Sequence, residues 1–284
     1  MASFTNQATL SYNNNVVNSN IVTGEIVQVL TVSKTALSNT YERNKEITYV
    51  VNIVNSSNSD FTGLTLEDNL GAYSFNNTNL VPLTYTENSL RYFINGDLQT
   101  TPTITSATDL NVSGITVPAN GNATVVYSVT ANEFAPLGIE SNITNTVTVN
   151  GNGLSTPITA DETVNAENGP ILSITKALCP LSVPENGTLT YTFVIRNSGS
   201  VGATEADNLV IRDTFDPRIN ITAITLNGVP LTPTTDYTYD SSTGEFATVA
   251  GVVTVPAATI SQNETTGAYS VTPGASTLTI TGTI

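Results

Sequence analysis

The chain is 284 residues long, enough for two domains of ordinary size, each with its own core. Its 8 Lys and Arg against 23 Asp and Glu give a formal charge of −15, which argues against nucleic acid as a partner, because phosphate binding needs clustered cations. With no histidine and a single cysteine, Cys179, the commonest general base, an internal disulfide framework and a thiolate metal cluster are all excluded.

Thr, Val, Ile and Tyr dominate the patterned segments and no amphipathic helix of useful length occurs, so the chain reads as all-β. The first residues carry neither the basic stretch and apolar run of a signal peptide nor a membrane span, and no membrane insertion is expected. The first strand-like segment is 4–10, with Phe4, Asn6, Ala8 and Leu10 on one face, inside an N-terminal extension 1–28. Next come Leu30-Thr31-Val32-Ser33-Lys34-Thr35-Ala36, then Thr48-Tyr49 ahead of Asn55-Ser56, then Leu64-Thr65-Leu66-Glu67-Asp68. Asn95-Gly96 reads as a tight hairpin turn. Val117-Pro118-Ala119-Asn120-Gly121 leads into another strand, and Ile143-Thr144-Asn145-Thr146-Val147-Thr148-Val149 closes the unit. The segment 165–170 is the expected boundary, and the acids Asp161, Glu162 and Glu167 read as solvated linker, since no spaced calcium-ligand loop surrounds them. No metal site or cofactor is expected. Cys179 is expected to be a small buried hydrophobe.

The series then repeats. Leu172-Ser173-Ile174-Thr175-Lys176-Ala177-Leu178 restates the first lysine strand. Thr190-Tyr191 ahead of Asn197-Ser198 restates the tyrosine and asparagine at the same offset. Leu209-Val210-Ile211-Arg212-Asp213 and Asn227-Gly228 follow, and Thr272-Pro273-Gly274-Ala275 matches the Val117-Pro118 turn. The expectation is two tandem immunoglobulin-like antiparallel β-sandwiches, 29–168 and 169–284. The ordered set of Lys, Tyr, Asn-Ser, Asp and a closing Asn-Thr-Val-Thr-Val strand resembles the immunoglobulin-like bacterial surface repeat called domain of unknown function eleven. The two-repeat layout is similar to ribbon-forming subunits of clostridial spore appendages. That resemblance implies a spore-surface or extracellular appendage, made in the mother cell without a signal peptide and freed by lysis.

The second repeat is expected to lack its closing strand, since Ile284 aligns near the end of the strand before it. Such a sandwich has an open edge of unpaired backbone and core side chains. The segment around Asn6 reproduces the closing-strand pattern and precedes the first repeat. Donation of this strand to the second repeat of another molecule would give a head-to-tail homopolymer.

Strand parity aims three polar side chains of each repeat into apolar surroundings. Lys34 lies on the face of Leu30 and Val32, Asp68 on that of Leu64 and Leu66, and Asn145 on that of Ile143 and Val147. Lys176 and Asp213 repeat the first two, and Asn6 supplies the third. Buried Lys, Asp and Asn are the set needed for a spontaneous Lys–Asn isopeptide bond: burial disfavours the ammonium, and a protonated carboxyl shuttles protons as ammonia leaves. The expected bonds are Lys34–Asn145 within the chain, assisted by Asp68, and Lys176–Asn6 between chains, assisted by Asp213, as single-turnover chemistry and not enzymatic turnover. An ordinary buried salt bridge with the amide alongside uses the same geometry and stays open at this point. The alternative function is a monomeric adhesin or surface-layer binding module.

Overall fold

Alternating Val, Ile, Thr and Tyr recur along the chain. In the computed structural model, which describes residues 2–106 and 109–284, most of that alternation becomes antiparallel strand. The only helix among the described residues is the 3-residue turn Glu205–Asp207. The chain divides into two compact units. One comprises residues up to Ala135 together with Asn142–Asn165, and the other Ala166–Ile284 together with Pro136–Ser141.

The first unit is built on two six-stranded sheets, with the short pair Tyr73–Phe75 and Thr78–Leu80 and the N-terminal hairpin beside them. One runs Asp97–Gln99, Arg91–Ile94, Asn122–Ala131, Glu46–Asn55, Leu30–Ala36, and Leu83–Tyr85 also pairs with Asn122–Ala131. The other runs Thr103–Ser106, Asn111–Val117, Phe61–Asp68, Asn142–Asn150, Ile158–Ala166, Thr40–Tyr41. Alternate residues of each sheet, such as Ile47, Val51 and Ile53 from one and Leu64, Leu66 and Val147 from the other, are fully buried. This is the core of a β-sandwich.

The second unit repeats five of the six strands of the first of these sheets in the same order: Leu172–Cys179, Thr188–Asn197, Gly274–Thr283, Asn220–Leu226, Val229–Pro230. Registers agree as well, since Lys34 pairs with Val51 and Lys176 with Phe193, and Tyr127 pairs with Tyr49 where Ile280 pairs with Tyr191. A buried asparagine pins each repeat in the same way. Asn55 donates to the carbonyls of Ser59 and Pro118, and Asn197 to those of Val201 and Pro256. The opposite sheet is shorter, holding only Arg212–Thr214, Glu245–Thr248 and Tyr237–Asp240 among the described residues. Among the described residues, no strand of that sheet stands where Asn142–Asn150 and Ile158–Ala166 stand in the first unit.

The structure revises four sequence expectations. Residues 158–166 are a strand rather than linker: Ile158, Val164 and Ala166 are buried while Asp161 faces out, and the strand pairs with residues 142–149. The partner of the Val117-Pro118 turn is Val255-Pro256, judged by the Asn197 bond, because a hairpin of Thr259–Gln262 with Tyr269–Thr272 is inserted before the last strand. Cys179 is exposed, because parity places it with Ser173 and Thr175 on the outward face of its strand. Segment 4–10 is not one strand. Ala2–Asn6 and Thr9–Tyr12 are separated at Gln7-Ala8, where Ser19 bonds to both residues.

The N-terminal segment is a long hairpin. Ala2–Asn6 pairs with Val22–Ile26, and Thr9–Tyr12 with Asn15–Asn18. Asn13 and Asn14 form its tip, both at positive φ, the geometry of a two-residue hairpin turn. Its apolar side chains Phe4, Leu10, Tyr12 and Val22 are more than half exposed.

Candidate functional site

In the first unit, Lys34, Asp68 and Asn145 come from three strands on both sheets and are all buried, as parity required. The Lys34 Nζ lies 2.5 Å from Asp68 Oδ2, with both side chains fully enclosed. Lys34 also stands 4.7 Å above the centre of the Tyr49 ring. Burial pushes its amine down from 10.5 to about 8, with the Asp68 charge pulling the other way. The acid is held on every side. Its Oδ2 also accepts a hydrogen bond from the Tyr127 hydroxyl, and its Oδ1 accepts one from the Leu70 backbone N–H at 2.8 Å.

The next amide in the chain, Gly71 N–H, is shared between Asn69 Oδ1 at 3.0 Å and Asn145 Oδ1 at 3.2 Å. Consecutive backbone amides therefore hold the carboxylate and the carboxamide. This turn needs its glycine: φ is 73° at Gly71, and a Cβ there would lie 2.4 Å from the Ile143 side chain. Among the described residues, the buried Asn145 Nδ2 and Tyr49 hydroxyl meet no hydrogen-bond partner at 3.5 Å or less. Burial pushes the Tyr49 and Tyr127 hydroxyls up, Asp68 adds to the rise, and the nearby Asn145 side chain opposes it. The cluster thus combines an amine that loses its proton readily, an acid in contact with it, and an amide polarised at oxygen and free at nitrogen.

In the second unit the same pair forms in the open. Lys176 Nζ lies 2.5 Å from Asp213 Oδ2, with the lysine side chain 41% exposed and the aspartate 16%. The rings of Tyr191, Phe193 and Phe215 stand 4.6, 5.4 and 5.5 Å from the ammonium. Where the first unit has Leu30 and Lys34 enclosed, Leu172 and Ile174 stand 40% and 55% exposed, with Lys176 beside them. A groove of about 200 Å³ opens there between the sheets, lined by Leu172, Ile174, Ile195, Leu209, Ile211 and Val253. Strand Arg212–Thr214 pairs with Glu245–Thr248 on one side and is the edge of its sheet on the other. Asn6, the predicted third member, lies exposed in the N-terminal hairpin, opposite Val22.

Sequence reasoning missed Tyr127 and the Leu70-Gly71 turn. Tyr127 alternates with Val125 and Val129, so an inward-facing hydroxyl was signalled by parity. The amides of a turn carry no such pattern. The second unit has neither feature: Ile280 stands at the Tyr127 position and Asp216, followed by Pro217, at that of Gly71.

No family model matches the chain, and no curated protein matches it. Among solved structures, the major pilin subunit of Bacillus cereus is similar with a TM-score of 0.37 at 12% identity, over 96% of this chain and 73% of its own. The pilus backbone of Streptococcus pneumoniae has a TM-score of 0.34 at 13% identity, over 86% of this chain and 54% of its own. A collagen-binding domain from a Staphylococcus aureus adhesin has a TM-score of 0.32 at 11% identity, over 49% of this chain and 99% of its own. These are distant likenesses of β architecture.

Proposed function

We propose that this chain is a structural subunit that assembles head-to-tail into filaments, the N-terminal strand around Asn6 of one copy completing the second unit of the next. One observation carries the reading. The lysine strand and its Lys–Asp contact are enclosed by an asparagine-bearing strand in the first unit and stand open in the second, while a strand of the same pattern lies uncovered at the N-terminus. Strand addition to the Arg212–Thr214 edge satisfies its free backbone groups and covers Leu172 and Ile174. The contact joins different surfaces of two identical molecules, which generates an open filament unless its rotation closes a ring.

Isopeptide bonds lock the assembly in this reading. A proton passes from the Lys34 ammonium to Asp68 across their 2.5 Å contact. The neutral amine adds to Asn145 Cγ, the developing charge on Oδ1 being stabilised by Gly71 N–H. The Asp68 carboxyl protonates the departing nitrogen and then takes the extra proton from the new Lys34 amide nitrogen, so one C–N bond forms, one breaks, and ammonia leaves with Asp68 again protonated. Lys176, Asp213 and Asn6 of the neighbouring copy take the same roles once docking has excluded water. Each bond forms once, so the chemistry is self-processing, not turnover of a substrate. The family resemblance adds the setting, a spore-surface or extracellular appendage.

Electron microscopy of the purified protein tests the assembly, with denaturing electrophoresis after boiling to test the lock. Filaments that yield a boiling-resistant ladder, both lost in Thr5→Pro, are expected. Dispersed monomers from the wild type, or filaments from Thr5→Pro, would overturn the reading. Filaments that boil down to intact monomers would leave the assembly standing and remove the intermolecular bond.

A further inference from the structure

We infer that the donated element is the whole N-terminal hairpin, so that two strands, not one, enter the second unit of the neighbouring copy. This rests on the head-to-tail reading above and specifies its interface. The first unit supplies the template: its lysine site is covered by two paired strands, Asn142–Asn150 and Ile158–Ala166, and the second unit has neither among the described residues. Over Ala2–Asn6 and Val22–Ile26 the N-terminus already holds two strands in the matching register, and past the break at Gln7-Ala8 the pairing shifts by one residue. Ile143 pairs with Val164 and Asn145 with Glu162 in the covering pair, while Phe4 pairs with Gly24 and Asn6 with Val22 in the hairpin.

The side chains agree with that superposition. A large and an absent side chain, Phe4 and Gly24, replace two of middling size, Ile143 and Val164. The Phe4 ring lies over Gly24 so closely that a Cβ there would sit 2.4 Å from it, so the pair fills a volume comparable to the one it replaces. In the first unit the Ala36 backbone N–H donates to the Glu162 carboxylate at 3.3 Å. At the corresponding places the second unit has Leu178 and the hairpin Val22, so a polar contact gives way to an apolar one between partly exposed side chains. Ile143, Asn145 and Val164 are at most 3% exposed, whereas Phe4 and Val22 stand 56% and 55% exposed. A hairpin folded in advance also loses less conformational entropy on docking than a loose strand.

The outer strand has a defined landing place. In the first unit the bonds from Asn165 N–H to the Asn39 carbonyl and from Ala36 N–H to Glu162 bracket Thr163 beside Leu37. The corresponding residues are Thr23 of the donor and Cys179 of the acceptor, and Cys179 is a free, exposed thiol.

Full-length Thr23→Cys protein, prepared as an equal mixture of heavy-isotope and natural chains, is assembled, mildly oxidised and mapped by mass spectrometry. Expected is a disulfide joining the position-23 peptide of one isotope to the Cys179 peptide of the other, absent when Cys179→Ser is added. Thr23→Pro is expected to reduce filament yield at least tenfold while the two-unit body keeps its melting temperature. Wild-type filament yield from Thr23→Pro, with no mixed-isotope disulfide from Thr23→Cys, overturns the hairpin while single-strand donation stands, provided Thr5→Pro still abolishes filaments. If Thr5→Pro also forms filaments, the head-to-tail reading itself falls.

Discussion

The two units contain the same lysine–aspartate contact at the same length, 2.5 Å, in opposite surroundings. In the first, two covering strands remove it from water, Tyr127 and Leu70 N–H brace the acid, and the asparagine amide is held beside it. In the second the lysine is exposed among aromatic rings, and the apolar residues of its strand face solvent. The difference teaches that burial, and not the contact itself, sets what the pair is worth to stability. An exposed ion pair is worth little, whereas a buried one is costly to disturb because its partner is left charged in a low dielectric.

The largest expected consequence lies in removing each acid. Asp68→Ala leaves Lys34 buried and unpaired, and the first unit should lose about 3–5 kcal/mol. Asp213→Ala in unassembled protein should cost less than about 1 kcal/mol, since Lys176 remains hydrated. Calorimetry of both variants checks this, and equal losses would erase the contrast between the sites.

A smaller effect is expected from the hydroxyl that only one site has. Tyr127→Phe removes one hydrogen bond to Asp68, a change of about 1.5 kcal/mol, and should slow ammonia loss from freshly refolded protein roughly tenfold. An unchanged rate would mean that the tyrosine only fills space.

The smallest effect is in pH dependence, best read in Asn145→Ala, where the proposed bond cannot form. Lys34 releases its proton at about 8 in the folded chain and near 10.5 in the unfolded one. Between these values the unfolded state binds more protons, so the folded state gains stability as pH rises, by at most about 1.4 kcal/mol per unit. Urea midpoints should climb from pH 8 to 10, and adding Lys34→Met should flatten the slope. A midpoint that falls over this range would contradict the assigned burial of the lysine.

Much of this was legible in the sequence because a strand's period of two fixes direction. Once Leu30, Val32 and Lys34 were read as one face, the lysine had to point inward, and the same logic placed Asp68 and Asn145 opposite it. The common offset of Lys, Tyr and Asn between repeats marked the strands that pair in register. What escaped reading was structure set by partners. Strand Ile158–Ala166 looked like linker because only Ile158, Val164 and Ala166 of its residues are buried, and its pairing with Asn142–Asn150 decides its conformation. The inserted hairpin before Gly274 moved the proline match from Pro273 to Pro256. The Leu70-Gly71 amides were invisible because a backbone donor leaves no mark on residue choice beyond the glycine. At the N-terminus only the first part of the closing-strand pattern, Ala2–Asn6, was legible; the break at Gln7-Ala8 and the returning strand Val22–Ile26 were not, because Gly24 interrupts the alternation and makes sense only beneath the Phe4 ring.

The most direct test of the central claim is amide hydrogen exchange on wild-type and Thr5→Pro protein at equal concentration. The account predicts strong added protection in the wild type at both Ala2–Asn6 and Arg212–Thr214, together with Val22–Ile26, and none in the variant. Equal exchange of these segments in the two proteins would contradict it.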